Sequence, residues 1–285
     1  KKITKKTRAI MLINVLGISS DLFKIKKIAD KKKIIIIEDN CESLGSTLKK
    51  KYLGTFGDYG SFSFYYSHQI TSGEGGMVTC NKKEDYDILF ALRSHGWLGG
   101  TRFYKRNLKS YNTYASQNPK LDPRYIFINS GFNLRPTDIQ AAIAHNQFKR
   151  LDTLKKFRNI NKNLIIEKIS NSQKWKRQFK FIVTPKDIDP SWMGLPILLS
   201  EKYIKKKQKF VNFLDNQGIE TRPIISGNFA NQPAAKLYKL CKKNEKFENA
   251  QKVQELGFLI GLHTKKLSKK NLDLIHDSFF MIDNI

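Results

Sequence analysis

The hydrophobic positions in the first third of the chain follow two different spacings. An apolar run at residues 9–15 predicts a buried strand, and residues 22–31 carry apolar side chains at helical spacing. Residues 34–37 are four consecutive isoleucines, a pattern typical of a central strand in a parallel sheet. The order strand–helix–strand predicts a parallel sheet with a right-handed crossover. Two further short strands are expected at residues 61–65 and 77–80.

The middle of the chain is predicted to be mostly helical, with one long interruption. Residues 84–94 form a helical pattern that ends at Gly96, and a second long helix is expected at residues 151–169. Residues 97–130 are polar and aromatic with weak periodicity, which predicts a long loop. Pro136 suits the first turn of a helix. The apolar face expected for that helix contains Ile139, Ala142, Ile143 and Phe148.

The last part of the chain mixes short strands and helices. Strands are predicted at residues 179–184, 193–199 and 220–225, and helices at 202–217, 249–256 and 267–280. We therefore expect an α/β protein with a mostly parallel large domain at residues 1–169 and a small α+β domain at residues 170–285. Because the chain starts at a lysine and no leader pattern follows, we expect a fragment or processed product with an N-terminally incomplete large domain.

Charge and cysteine content narrow the classes of function. The formal net charge is +27, but the cations are 42 Lys and 10 Arg scattered in short clusters along the chain. A nucleic-acid module concentrates charge on one face and uses arginine forks, so solvated surface is the preferred interpretation. Three widely spaced cysteines argue against a disulfide framework and against an iron–sulfur or cysteine-rich metal site. No apolar run is long enough for a membrane span, and a reducing cytoplasm is the expected setting.

Candidate chemistry gathers around the strand at residues 34–37. Asp39 follows that strand, where ligands collect in open α/β sheets, although an aspartate there could equally cap the next segment. Glu42 lies near the same edge. Between residues 57 and 76, hydroxyls and glycines could cradle a phosphate. His68 lies among them, and it is a candidate acid or base because imidazole titrates near neutral pH.

Several motifs, taken in their order along the chain, resemble those of the DegT–DnrJ–StrS family of nucleotide-sugar enzymes. They run from near residue 38 to residue 263 and cover nearly the whole chain. The motifs are Glu38-Asp39, Gly54-Thr55-Phe56-Gly57-Asp58, Ser61-Phe62-Ser63-Phe64, Gly73-Glu74-Gly75-Gly76, Arg93-Ser94-His95-Gly96, Gly131-Phe132-Asn133-Leu134-Arg135, and Gly218 to Pro223.

The resemblance implies fold type I of the pyridoxal-phosphate enzymes, the aspartate-aminotransferase-like fold. It also implies that Asp39 faces the pyridine nitrogen, Glu42 lies near the ring's phenolic oxygen, and Ser63 holds the cofactor phosphate. Asn133 would reach a partner's phosphate across a homodimer with shared active sites. Arg222 would bind the sugar or its nucleotide diphosphate.

The chain departs from the family pattern at one position. Most members carry lysine where His68 stands, and imidazole cannot form the covalent link to the cofactor. The exchange resembles the family's 3-dehydratases, which use pyridoxal 5′-phosphate and pyridoxamine 5′-phosphate. It implies that His68 moves protons during loss of the 3-hydroxyl from a 4-keto-6-deoxy nucleotide sugar, with glutamate as amino donor. Deoxysugar and surface polysaccharide biosynthesis is the implied context.

Two alternatives stay open at this point. An ordinary nucleotide-sugar aminotransferase would need another lysine, and Lys82 and Lys83 are the nearest in sequence. A catalytically inactive, basic nucleic-acid-binding relative would bind with steep salt dependence and without cofactor.

Overall fold

The computed structural model describes residues 2–98, 109–242 and 245–285. By its internal packing, the chain divides into two compact units. Unit 1 comprises Lys1–Val15, Ser19–Cys41 and Lys51–Lys149, and unit 2 comprises Leu16–Ile18, Glu42–Lys50 and Arg150–Ile285. Among the described residues, none of the helices combines the length and apolar character needed to cross a membrane.

The elements of unit 1 are short strands and helices in alternation. They are β1 (Ala9–Ile13), α1 (Leu22–Lys32), β2 (Ile35–Asp39), β4 (Lys51–Tyr52), β5 (Tyr59–Ser63), β6 (Gly76–Cys80), α2 (Lys83–Leu92), α3 (Lys109–Gln117) and α4 (Asp138–Phe148).

The sheet of unit 1 has the strand order β1-β2-β5-β6. Strand β2 is parallel to both β1 and β5, and β6 runs antiparallel to β5. The predicted mostly parallel sheet is therefore confirmed. Strand β5 begins two residues earlier than expected, because Tyr59 and Gly60 already pair with Ile37 and Glu38 of β2.

Helix α1 covers one face of this sheet. The carboxylate of Asp21 accepts the backbone N–H of Lys24 at 3.2 Å and so begins the helix. Ala29 of α1 packs against the buried Ile34 and Ile36. Side chains alternate along a strand, so the other face carries the odd-numbered residues of β1, among which Met11 is 61% exposed.

Two sequence predictions in the middle of the chain are corrected. The loop expected at residues 97–130 contains helix α3, while residues 99–108 of it lie outside the described residues. Helix α4 begins at Asp138, two residues after Pro136, because Thr137 and Gln140 form a reciprocal capping box. The apolar face expected for α4 is exposed in this chain: Ile139 is 74% and Phe148 60% accessible.

Unit 2 is built on an antiparallel sheet with the order β10-β11-β9-β7. Its elements are β3 (Thr47–Leu48), α5 (Leu151–Ser170), β7 (Phe179–Phe181), β8 (Ile188–Asp189), β9 (Gly194–Leu199), α6 (Lys207–Asn216), β10 (Thr221–Arg222), α7 (Pro233–Leu237), α8 (Glu248–Leu256), β11 (Gly257–Gly261) and α9 (Lys269–Phe280). Helix α5 packs against α9 over a core that includes Trp192, Phe210, Phe258 and Phe279.

Buried Asn161 of α5 fixes the segment that leads into α9. Its side-chain Nδ2 donates to the carbonyls of His263 and Lys265 at 2.8 and 2.7 Å, and its Oδ1 accepts the N–H of Leu267 at 2.9 Å. These contacts explain why packing places α5 in unit 2, whereas the sequence pattern predicts the domain boundary after this helix. The functional division at residues 169 and 170 stays a prediction.

Candidate active site

Asp39 and Ser63 lie at one edge and on one face of the sheet of unit 1. Asp39 is the last residue of β2 and is the register partner of Ser61 in the parallel strand β5. Ser63 follows two residues later, so its side chain is on the same face as those of Ser61 and Asp39. One oxygen of Asp39 accepts the N–H of Cys41 at 3.0 Å, and the Ser63 hydroxyl accepts the N–H of Tyr65 at 3.2 Å. The carboxyl ends of parallel strands thus bring a carboxylate and a hydroxyl to the edge where ligands bind.

Glu38, on the opposite face of β2, holds the turn that precedes β5. Its Oε1 accepts the N–H groups of Phe56 and Gly57, both at 2.7 Å. Its Oε2 accepts the N–H of Gly54 at 2.9 Å and Nδ2 of Asn14 at 3.2 Å. The side chain is fully buried. Sequence reasoning missed this role, although a carboxylate on the covered face of an isoleucine-rich strand requires buried donors.

His68 lies in the long connection between β5 and β6. Its backbone N–H donates to the carbonyl of Tyr65 at 3.1 Å, and the two rings meet edge-on with centroids 6.2 Å apart. Within the described residues, the buried Nδ1 of the imidazole has no hydrogen-bond partner. A buried imidazole nitrogen without a partner is a group available to a ligand or to a proton.

Burial and charge act on His68 in opposite directions. Burial lowers the pKa of His68 below 6.5, and the negative charge of Asp39 raises it by a smaller amount. The imidazole is therefore neutral at pH 7 and able to accept a proton. Since an unfolded histidine titrates near 6.5, stability contributed by the neutral form is lost as the pH falls from about 6.5 through the folded pKa.

Replacing Asp39 by asparagine is expected to lower the pKa of His68 further, because the carboxylate that favours the imidazolium is removed. An NMR titration of ring-labelled histidine measures this shift, with the exposed His145 of α4 as an internal reference. A His68 pKa that stays unchanged or rises in Asp39→Asn would contradict the electrostatic coupling.

Glu42 belongs to a separately packed segment of unit 2. One of its carboxylate oxygens accepts the N–H of Leu16 at 3.0 Å. The neighbouring Ser43 hydroxyl accepts the N–H of Gly17 at 3.1 Å, and Lys155 donates to the carbonyl of Gly45 at 2.8 Å. These three contacts hold the first residues of the segment, and the role of Glu42 near a ring oxygen stays a prediction.

Asn133 is an exposed residue in a short antiparallel contact with the end of α2. It forms a bridge with Ser94, and the carbonyl of Phe132 accepts the N–H of His95 at 2.8 Å. The approach requires glycine: a side chain at Gly131 would meet the backbone N of Gly96 at 2.1 Å. The fold therefore pairs two motifs that are far apart in sequence, while the reach of Asn133 to a partner's phosphate stays a prediction.

Arg222 is a half-exposed residue of β10 in unit 2. Its Nε and one terminal nitrogen donate to Oε1 of Glu220 at 3.0 and 2.7 Å. An exposed pair of this kind contributes little to stability. The sugar- or diphosphate-binding role of Arg222 stays a prediction.

Comparison with known protein families gives a match over almost the whole chain. The sequence model described as the DegT/DnrJ/EryC1/StrS aminotransferase family matches residues 1–279. The chain belongs to this family. The family predicted from the sequence motifs is therefore confirmed.

Several relatives in this family are similar to the chain over almost its whole length. GDP-4-keto-6-deoxy-D-mannose 3-dehydratase of Yersinia pseudotuberculosis is 34% identical over 276 residues, which cover 95% of this chain and 66% of that relative. The chain therefore spans just under two thirds of the length of this relative.

Solved structures give the same relationship and confirm the predicted fold class. Escherichia coli GDP-4-keto-6-deoxy-D-mannose-3-dehydratase with bound hydrated PLP aligns with a TM-score of 0.80 at 27% identity, covering 97% of this chain and 68% of that one. A variant of GDP-4-keto-6-deoxymannose-3-dehydratase with bound GDP-perosamine aligns with a TM-score of 0.81 at 29% identity, with the same two coverages. The chain has the fold of type I pyridoxal-phosphate enzymes.

Proposed function

We propose that the protein catalyses the pyridoxal- or pyridoxamine-phosphate-dependent 3-dehydration of a nucleotide-linked 4-keto-6-deoxy sugar. The observation that carries this proposal is His68, half-buried and electrostatically coupled to Asp39, where most family members have lysine. The similarity to enzymes named GDP-4-keto-6-deoxy-D-mannose 3-dehydratase supports it.

The residues of unit 1 fit this cofactor. Asp39 offers a carboxylate for the ring nitrogen, and Ser63 offers a hydroxyl for the phosphate on the same sheet face. The buried Nδ1 of His68, which lacks a partner among the described residues, suits a ligand at this edge. When bound, the cofactor supplies an electron sink for a carbanion next to its ring.

His68 is the group that moves protons in this proposal. Because burial keeps its imidazole neutral at pH 7, it can accept a proton and then deliver it to the departing 3-hydroxyl oxygen. Asp39 favours the protonated state that exists between these two events. The Ser63 hydroxyl can turn towards a phosphate oxygen, since its present contact uses it as an acceptor.

The aminotransferase alternative would require a lysine at this edge. Lys83 instead lies at the start of α2 and forms an ion pair with the buried Asp87 of the same helix. Lys82 is the residue that precedes α2 and is exposed. Neither observation favours a covalent link to the cofactor.

The proposed enzyme is a homodimer with shared active sites. Support comes from α4, where Ile139, Ile143 and Phe148 are all exposed, and from the exposed apolar neighbours Phe132 and Leu134 of Asn133. A second copy packed against some of these residues would remove exposed apolar side chains from water. A nucleotide-diphosphate sugar and glutamate are the proposed small-molecule partners, and a cytoplasmic setting stays a prediction.

The function is tested by incubating the protein with pyridoxamine phosphate, glutamate and a panel of 4-keto-6-deoxy nucleotide sugars. The expected result is release of ammonia together with loss of the 3-hydroxyl. Mass spectrometry and NMR of the sugar product measure this loss. A sugar that gains an amine and retains its 3-hydroxyl would overturn the proposal in favour of transamination. If reduction with borohydride trapped a stable adduct between the cofactor and a lysine, that result would also favour transamination.

A further inference from the structure

Two cations lie one turn apart on the inward side of α5 in unit 2. Arg158 and Lys162 share the helical stripe that also contains the buried Leu154 and Ile165. Lys162 is only 7% exposed, although lysine is almost never fully buried unless it is paired. Arg158 is partly exposed as a residue, although Nε of its guanidinium is buried.

Neither cation has a counter-charge within the described part of the chain. The Lys162 ammonium lies 5.1 Å from the centroid of the buried Trp192 ring, and no carboxylate pairs with it there. Nε of Arg158 is buried and has no acceptor among the described residues. Burial lowers the pKa of both groups.

Lys155, on the same helix, is a lysine whose ammonium has acceptors within the chain, and it serves as a comparison. Its ammonium lies 2.6 Å from a carboxylate oxygen of Asp189 and 2.8 Å from the carbonyl of Gly45. Arg158 and Lys162 have no such acceptors in the described residues. A largely buried lysine without a carboxylate partner and a buried N–H donor without an acceptor both cost folding free energy, which a bound anion would offset.

We propose that Arg158 and Lys162 form a binding site for an anionic oxygen group, the carboxylate or phosphate of a small molecule. The planar guanidinium suits two oxygens of one anion, and the ammonium adds a point charge from the next turn. The ring of Trp192 holds the ammonium in place before the anion arrives. Because the site lies wholly within unit 2, it depends neither on the cofactor nor on the proposed reaction.

The site is tested on the full chain with glutamate, inorganic phosphate and GDP as separate probes at fixed ionic strength. Isothermal titration is expected to show saturable binding of at least one probe. We expect the dissociation constant to rise at least about tenfold in Lys162→Met and in Arg158→Gln, since each removes one charged contact. Lys156→Met is the matched control, because Lys156 is exposed on the same helix. Glutamate binding alone would identify a carboxylate site, and phosphate or GDP binding a phosphate site.

Thermal unfolding separates this proposal from a purely structural role of the two cations. Without anions, Lys162→Met is expected to unfold at the same temperature as the natural chain or higher, because a largely buried lysine without a carboxylate partner is replaced by an apolar side chain. With saturating anion, the natural chain is expected to be the more stable of the two. An equal loss of stability in both conditions would overturn the proposal. The proposal would also be overturned if a saturating anion raised the unfolding temperature equally in the natural chain and in the variants Lys162→Met, Arg158→Gln and Lys156→Met.

Discussion

Replacing His68 by asparagine is expected to lower the rate of 3-hydroxyl loss by about 10²- to 10⁴-fold, the range that a positioned proton-transfer group contributes. Asparagine occupies similar space but cannot accept and return a proton near neutral pH. Cofactor uptake is expected to persist, because Asp39 and Ser63 are unchanged. Single-turnover kinetics and the absorbance of the bound cofactor measure the two effects separately.

The matched control for this substitution is His276→Asn. His276 is also partly buried, with its side chain 19% exposed, but it lies on α9 and contacts Ser172 and Asp277. We expect its turnover to remain close to that of the natural protein. If His68→Asn kept full turnover, the proton-transfer role of His68 would be wrong. Loss of turnover together with loss of cofactor would indicate a binding role instead.

The largest effect on stability is expected at Glu38. Replacing it by glutamine should lower the free energy of unfolding of unit 1 by about 3–5 kcal/mol. All four contacts of the carboxylate, from Asn14, Gly54, Phe56 and Gly57, are with donors. An amide presents one oxygen and one NH₂ group, so its nitrogen must face two of those donors.

Hydrogen exchange and urea unfolding together test this expectation. The amides of Gly54, Phe56 and Gly57 should lose protection in Glu38→Gln more than amides elsewhere in unit 1. Glu84→Gln is the control, because Glu84 is an exposed carboxylate in the first turn of α2. If the two substitutions lowered the free energy of unfolding by similar amounts, the contacts between the Glu38 carboxylate and its four donors would not be a major source of stability.

Local patterns predicted some elements closely and failed where long-range packing decides. Four isoleucines at residues 34–37 identified the central strand, observed as Ile35–Asp39, because a run of β-branched residues favours a strand even though only its even-numbered side is fully buried. The predicted helix at residues 202–217 divides into a 3₁₀ segment, Glu201–Lys206, and helix α6. The periodicity of these residues does not distinguish the two kinds of helix, whose ends depend on the surrounding contacts.

The apolar residues of α4 illustrate a different limit. The sequence predicts one apolar face, but Phe148 lies about half a turn around the helix from Ile139, and a sequence pattern does not say what covers exposed residues. In the described chain, Ile139 and Phe148 remain exposed. Tertiary structure, and on our proposal a second copy of the chain, decides whether such residues form a core or an interface.

The sequence by itself determined the family, the parallel sheet and the candidate residues Asp39, Ser63 and His68, because ordered motifs and strand patterns are local along the chain. Tertiary structure alone decided which groups these side chains meet. It buried His68 and lowered its pKa, gave Glu38 four donors, and left Arg158 and Lys162 without acceptors among the described residues. Burial and hydrogen-bond partners come from residues far apart in sequence, so no local pattern could specify them.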